Sequence, residues 1–593
     1  MSFHFARDLQ LFLAGHCGGA QVDIVPELCP PGMAGDLTVN CFRLAKPCRQ
    51  PPVPLAGTVA AFLAAHPDVA RVECIKAFVN LTLKPEALFR DSVSDPDALL
   101  RDALLPEEQR RRVLIEFSAP NTNKPQHLGH VRNNTLGMVM VEILRAAGHT
   151  VIPVNLINDR GIHICKSMLA YQRWGNGETP AAAGKKGDHF VGDYYVRFDQ
   201  EYRRQLAALR QARPDFKDRD DEELFLETEI GAAAQAMLVS WENGNPEVRR
   251  LWQTMNEWVI AGFSQTYATM GVKFDRVYLE SQTFMLGKDI IQDGLQRGMF
   301  QRRDDGAVVI DLDADGLGSK VVLRGDGTSV YVTQDIGTSV LKEHDYHPAR
   351  QIWIVGDEQI FHFRVLFAIL RKLGYPWAQE LYHMAYGMVN LPSGRMKSRE
   401  GTVVDADDLF AEMTSLARQA TLQRAENGVP DNLEERARVI GMGALKFMLL
   451  KVNPKTTILF DPEAAVKFEG DTGPYVQYAC ARVSSMLRKA GPAALDGPVD
   501  WGVLGAPEEK DLALRCAAFG TMVRQAAAEL DTAGLANYLL ELAKAFSRFY
   551  RECSVLNAPT PELRRARLEL SSRARLILVA GLRTLTIEVL ESM

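Results

Sequence analysis

Two imidazoles, His127 and His130, stand at the end of a run from Ala119 to His130 that reads Ala-Pro-Asn-Thr-Asn-Lys-Pro-Gln-His-Leu-Gly-His. Set at the start of a helix, such a pair can touch phosphate, because the helix terminus adds unpaired N–H groups and positive potential. The flanking residues supply that setting. Val113 to Phe117 is short and aliphatic, as a strand buried on both faces should be. A proline-containing turn follows, then an apolar segment from Val131 to Ala147 that meets Gly148 as a C-terminal cap, and Val151 to Ile157 restarts a strand. The pattern predicts a βαβ unit, in which ligands collect beyond the carboxyl ends of the strands. His-x-Gly-His alone defines only three positions, and two surface histidines would give the same string.

A second chemistry-bearing segment runs from Met388 to Val404 and contains Arg395-Met-Lys-Ser-Arg-Glu-Gly401, glycine-bearing and strongly basic, after another apolar strand. Together the two segments resemble the signature motifs of class I aminoacyl-tRNA synthetases, and more specifically of arginyl-tRNA synthetases. The resemblance extends over nearly the whole chain: Pro31 to Asn40 with Leu44-Ala-Lys46 near the N-terminus, Tyr331-Val-Thr-Gln-Asp-Ile-Gly337 in the centre, and Phe468 to Arg482 toward the C-terminus. It implies a multidomain α/β protein: a Rossmann-like class I catalytic domain, an α+β N-terminal domain and an all-α C-terminal anticodon-binding domain. The expected boundaries are 1–108, 109–404 with an insertion at about 175–300, and 405–593.

The implied reaction is attack of an amino-acid carboxylate on the α-phosphate of ATP, then transfer of the aminoacyl group to a tRNA hydroxyl. Such chemistry depends on positioning and on stabilising negative charge. His127 and His130 would donate to phosphate oxygens, and Gly129 would let adenine and ribose lie against the backbone. The second motif departs from the usual class I wording, since Ser398 holds the place of its second lysine. The resemblance implies that an upstream lysine compensates, which assigns Lys124 to the phosphates, with Lys397 and Arg399 as loop cations. His362 and Met388 match positions on the ATP side. Magnesium would accompany ATP through its phosphates, with no protein metal ligand.

A guanidinium carries five donors in a planar fork and must be read by carboxylates and amide oxygens. The resemblance places Glu116 and Asn121 at the α-amino and backbone end of L-arginine, Tyr331 and Asp335 at the guanidinium, and Gln359 at the close of the pocket. Taken singly, Glu116 also fits a surface ion pair, Asp335 a helix cap and His362 a packed core residue. Tyr475 and Tyr478 could stack on splayed anticodon bases, although tyrosines so spaced also suit a helical core; Tyr538 and Met593 are further tRNA candidates. Asp471 and Cys480 replace the asparagine and histidine common in that family motif.

Composition agrees. A chain of 593 residues has room for about three to five domains of ~100–200 residues. A net charge of −6 argues against a general nucleic-acid coat, so tRNA contacts must be local. Basic clusters occur at Arg110 to Arg112, at Arg395 to Arg399, and at Arg564, Arg565, Arg567, Arg573, Arg575 and Arg583, where a solvated helix face is the plain alternative. Nine scattered cysteines show neither disulfide nor zinc spacing. The apolar patch Leu9 to Ala14 is too brief for a leader, and no membrane span is visible, so a cytoplasmic protein is expected. The family implies a monomer that needs tRNA(Arg) for efficient arginine activation. The segment Gly175 to Asp221 reads as a polar interruption before a helical stretch to Met270, and from Asp405 onward nearly everything reads as helix. Two rivals remain at this point: a related synthetase for another amino acid, and a non-catalytic paralogue that binds tRNA or senses arginine.

Overall fold

The computed structural model describes residues 3–18, 22–30, 32–392, 404–424 and 428–593. At the N-terminal end, β1 (Glu27–Leu28), β2 (Leu37–Asn40), β3 (Val69–Ile75) and β4 (Phe78–Leu83) form an antiparallel sheet in the order β1-β2-β4-β3. Val79, Leu81 and Leu83 alternate along β4 and join Leu9, Leu13, Val59 and Leu63 of two helices in the core. The proline-rich passage is a helix junction: Arg49 turns left-handed after the helix Cys41–Cys48, and Pro52 opens the next helix at its first position.

The central sheet comprises β5 (Arg112–Glu116), β6 (Thr150–Ile157) and β7 (Arg276–Leu279), followed, after the antiparallel meander β8 (Gln301–Arg302), β9 (Val308–Leu312) and β10 (Gly318–Leu323), by β11 (Arg350–Gly356) and β12 (Leu381–Tyr386). Its order is β12-β11-β5-β6-β7, and every pairing is parallel, with Glu116 opposite Val154 on one side and Trp353 on the other. The order reverses between β5 and β11, so a crevice opens beyond their carboxyl ends. Residues of β5 alternate between two layers. Val113 and Ile115 join the main core together with residues of the helix Leu128–Ala146, whereas Leu114 joins Ile152, Val154 and Tyr278, against which Leu341 of the helix Tyr331–Tyr346 packs. The helix Leu128–Ala146 is buried on nearly every side, its first turns through Arg132, Asn133 and Asn134 and its second half through apolar residues from Leu136 to Leu144.

Between β6 and β7 the chain forms the helices Ile162–Trp174, Gly187–Ala212, Glu229–Glu242 and Pro246–Met270. The second of these occupies the segment expected as a polar interruption. Its buried stripe (Phe190, Val191, Phe198 and Leu206) is narrow, and the charged residues around it dilute the pattern. Beyond Asp405 the described chain is helical as expected, from Ala406–Arg424 to Pro561–Thr584, apart from a two-residue strand, β14 (Ile458–Leu459), which pairs with β13 (Val389–Asn390). The C-terminal arginine cluster is mostly tied inward rather than solvated. Arg565 pairs with Glu569 at 2.7 Å, Arg567 with Glu509 at 2.7 Å, and Arg573 reaches the Val93 carbonyl at 3.0 Å. No helix among the described residues is long and apolar enough to cross a membrane, and all nine cysteines are free.

Candidate active site

His127 is the N-cap of the helix Leu128–Ala146, and the pair forms a reciprocal cap. The Gly129 N–H donates to His127 Nδ1 at 3.1 Å, and the His127 N–H donates to His130 Nδ1 at 3.2 Å. Since each Nδ1 accepts, the neutral rings carry their proton on Nε2, free to donate. The ring centroids are 4.0 Å apart. Burial, reinforced by the Lys124 charge, lowers His127 to about 4, and burial, His127 and Lys124 push His130 well below its ordinary value. Both are therefore neutral donors near pH 7, and the permanent charge comes from exposed Lys124. A Cβ on Gly129 would come within 2.9 Å of the His127 ring, so the glycine makes room for the cap itself. These features set the pair apart from two unrelated surface histidines.

The turn leaving β5 is strained: Ser118 and Ala119 have φ of +79° and +46°. Buried polar groups hold it there. The Ser118 N–H donates to Asn133 Oδ1 at 2.6 Å, the Ala119 N–H to Asn155 Oδ1 at 3.0 Å, and the Ser118 hydroxyl meets the Tyr267 hydroxyl at 2.7 Å. Sequence reading passed over all three partners. The available signal was Asn155 inside an aliphatic strand, a buried amide that needs a partner.

Glu116 is buried and ion-paired with Lys342, itself 1% exposed, whose ammonium lies 5.4 Å from the Trp353 ring centroid. It therefore sits in an internal pair rather than a surface one. Asp335 lies inside the helix Tyr331–Tyr346 and is not its cap. Its Oδ2 is 2.6 Å from His362 Nε2, a contact that raises His362 above the ordinary histidine value. His362 thus faces the carboxylate expected to read the guanidinium. Tyr331, at the first position of that helix, is 80% exposed; Asn121 and Gln359, the latter at the N-cap of the helix Ile360–Lys372, are also exposed. Met388 is exposed as a side chain, while its carbonyl accepts Arg132 Nη1 at 3.0 Å. Lys397 and Arg399 lie outside the described residues.

One carboxylate escaped the sequence reading. Glu280, directly after β7, is raised to about 7 by burial, with Arg160 opposing and Asp159 and Asp335 adding to the rise; the Gln334 side chain bonds to it. The Arg160 guanidinium lies 3.8 Å from it and is bonded to Glu242 at 2.8 Å. Glu280 and Asp335 therefore lie within each other's field, and a cation bound beside them would favour the ionised form of Glu280. No signal in the local sequence distinguishes Glu280 from other strand-end acids.

In the helical region, Tyr478, Arg482, Arg488, Lys489, Tyr550 and Met593 line a cleft of about 360 Å³. The Arg482 guanidinium carbon lies 4.7 Å from the Tyr478 ring centroid. Tyr478 and Met593 are thus brought together, and Arg482 and Tyr550 join them. Tyr475 instead bonds Ser547 at 3.0 Å, and Tyr538 donates to the Arg515 carbonyl at 2.7 Å, with burial pushing its hydroxyl well up. Neither of these two reaches the cleft.

Three family models match this chain. The one described as tRNA synthetases class I (R), catalytic domain, covers residues 96–461, the DALR anticodon binding domain residues 476–593, and the arginyl tRNA synthetase N terminal domain residues 15–83. Curated arginine–tRNA ligases of Bacteroides fragilis and Bacteroides thetaiotaomicron are each 44% identical over 94% of this chain, and cover 94% and 93% of their own lengths. The solved arginyl-tRNA synthetase of Thermus thermophilus superposes with a TM-score of 0.79 at 30% identity, over 99% of this chain and 100% of that one. That of Plasmodium falciparum shares the fold at 17% identity with a TM-score of 0.75, over 100% and 99%. With a family model matched over its catalytic region and curated ligases 44% identical over 94% of its length, the chain belongs to the class I arginyl-tRNA synthetase family.

Proposed function

We infer that the chain is an arginine–tRNA ligase that activates L-arginine with ATP to arginyl-AMP, releases pyrophosphate and transfers arginine to tRNA(Arg). The observation that carries the activation step is the histidine pair: two neutral Nε2–H donors at a helix N-terminus beside Lys124. Fixed donors of this kind stabilise charge that grows on departing phosphate without having to reorganise. Lys397 and Arg399 are proposed as further phosphate cations, and Met388 and Gly129 as the backbone against which the nucleotide lies. The imidazoles and the lysine do not offer the oxygen cage that magnesium takes; Mg²⁺ would enter on the ATP phosphates.

Arginine would lie beyond the carboxyl ends of β5 and β7, its guanidinium against Asp335 and Glu280, with Tyr331 and Gln359 closing over it and Asn121 and Glu116 toward its α-amino end. Each charge-assisted hydrogen bond to such a carboxylate contributes about 1.5–3 kcal/mol. Lysine cannot make the bidentate fit. The cleft around Tyr478 and Met593 would take anticodon bases by stacking, with Tyr475 and Tyr538 supporting the bundle around it. Functional boundaries near 108 and 404, a monomeric state and a cytoplasmic location complete the reading. Charging of tRNA(Arg) with labelled arginine, with lysine and citrulline as competitors, tests it. Arginine-specific charging is expected; tRNA binding without charging would favour a non-catalytic paralogue.

A further inference from the structure

Arg132 follows His130 by two residues on the same helix, and none of it reaches solvent (0% exposed). Its Nη1 donates to the Met388 carbonyl at 3.0 Å, and its Nη2 to the carbonyls of Pro454 at 2.7 Å and Thr456 at 2.9 Å. Among the described residues no carboxylate pairs with it. The Tyr386 ring centroid lies 5.9 Å from the guanidinium carbon, and Asp357 acts on it only through its field. Burial lowers the guanidinium to about 10, so it stays charged at neutral pH. An apolar side chain of similar volume would fill this space without the desolvation cost of a buried ion. A planar fork that reaches three carbonyls does something else: it ties its own helix to two backbone segments, at Met388 and at Pro454 to Thr456.

Those segments meet at one crossing. The Met388 carbonyl also accepts the Ile458 N–H at 2.9 Å, and the Gly387 N–H donates to the Pro454 carbonyl at 3.0 Å. A Cβ at Gly387 would lie 2.8 Å from the Lys455 carbonyl oxygen, so the backbones are as close as glycine allows. On the other flank of the histidine motif, the Leu128 N–H donates to the Val404 carbonyl at 2.9 Å and the Ala406 N–H to the Gln126 carbonyl at 3.0 Å. The histidine pair is thus tied on one side to the Met388 backbone, which in the ligase reading faces the nucleotide, and on the other to the backbone of Val404 and Ala406.

We propose that Arg132 is a positioning residue for ATP: it sets the spacing between the histidine pair, which holds phosphate, and the Met388 backbone, against which the nucleotide lies. The proposal rests on the ligase reading. It touches no arginine-binding group, so its loss should separate the two small substrates.

The test is pyrophosphate exchange kinetics of the full chain with tRNA(Arg) present, for Arg132→Met and Arg132→Lys beside the unaltered protein, with thermal melts of all three. Arg132→Met is expected to raise KM for ATP at least tenfold and lower kcat at least tenfold, while KM for arginine stays within twofold. Arg132→Lys, which keeps charge and donors, should recover part of both. Unchanged ATP kinetics, equal losses for both substrates, or failure of both variants to melt cooperatively would make Arg132 a core residue and overturn the proposal. Absence of exchange in the unaltered protein would instead overturn the ligase reading beneath it.

Discussion

Neutral imidazoles, rather than imidazolium cations, open the helix Leu128–Ala146, because each Nδ1 is occupied by a backbone N–H and burial depresses both rings. His130→Ala is therefore expected to lower kcat for exchange by about 10²–10³, roughly 3–4 kcal/mol, the effect of losing one preorganised donor. Circular dichroism should stay native, and a loss below tenfold would argue against the role. At Asp335 the chemistry depends on pH. Its hydrogen bond raises His362 above the ordinary histidine value, near 6.5, so protonated His362 holds the carboxylate at low pH and releases it as pH rises through the raised value. KM for arginine should fall over that window in the unaltered protein, and His362→Gln should remove the part of the fall due to His362, leaving only that due to Glu280. By the same linkage, the stabilisation from this pair is complete below about 6.5 and is lost as pH rises through the raised pKa. Identical KM profiles in the two proteins would contradict the assignment. The histidines were legible because they lie three residues apart on one turn; Glu280, Lys342 and Arg132 were not, because their partners are far away in sequence and only the fold brings them together.

Among the elements, β5 carries the main tension. Its apolar residues fix it in the sheet, yet its last residue, Glu116, is a carboxylate buried against Lys342 of the helix Tyr331–Tyr346. Removing one partner of such a pair leaves an uncompensated buried charge, so Lys342→Met should destabilise the protein by about 3–5 kcal/mol, and Glu116→Gln combined with Lys342→Met should recover much of it. Urea unfolding of Lys342→Met, Glu116→Gln alone and the double variant measures this; additive losses would mean the pair is not coupled. The βαβ unit was legible from its alternation of aliphatic strand, turn and apolar helix. The helix Gly187–Ala212 was hidden by its charge, and the left-handed Ser118–Ala119 turn had no mark in the sequence because neither residue is glycine.

At the scale of the molecule, a net charge of −6 leaves RNA binding to local patches, and the C-terminal arginines are largely spent on Glu509, Glu569 and the Val93 carbonyl. In the ligase reading the cleft between Tyr478, Arg482 and Met593 would take the bases. Tyr478→Ala should weaken tRNA(Arg) binding by about 1–3 kcal/mol, the worth of one stacked base, as measured by filter binding, without changing the melting of the chain by more than a few degrees; unchanged affinity would move the contact elsewhere. The domain plan was legible because its motifs are long; which tyrosines face the cleft was not, since Tyr475, Tyr478 and Tyr538 all sit on helices and only packing decides their direction. The measurement that bears most directly on the whole account is arginine-dependent ATP–pyrophosphate exchange by the purified chain, with and without tRNA(Arg). The account predicts exchange that requires arginine and tRNA together and is not supported by lysine or citrulline. No exchange under any condition, with tRNA still bound, would contradict it.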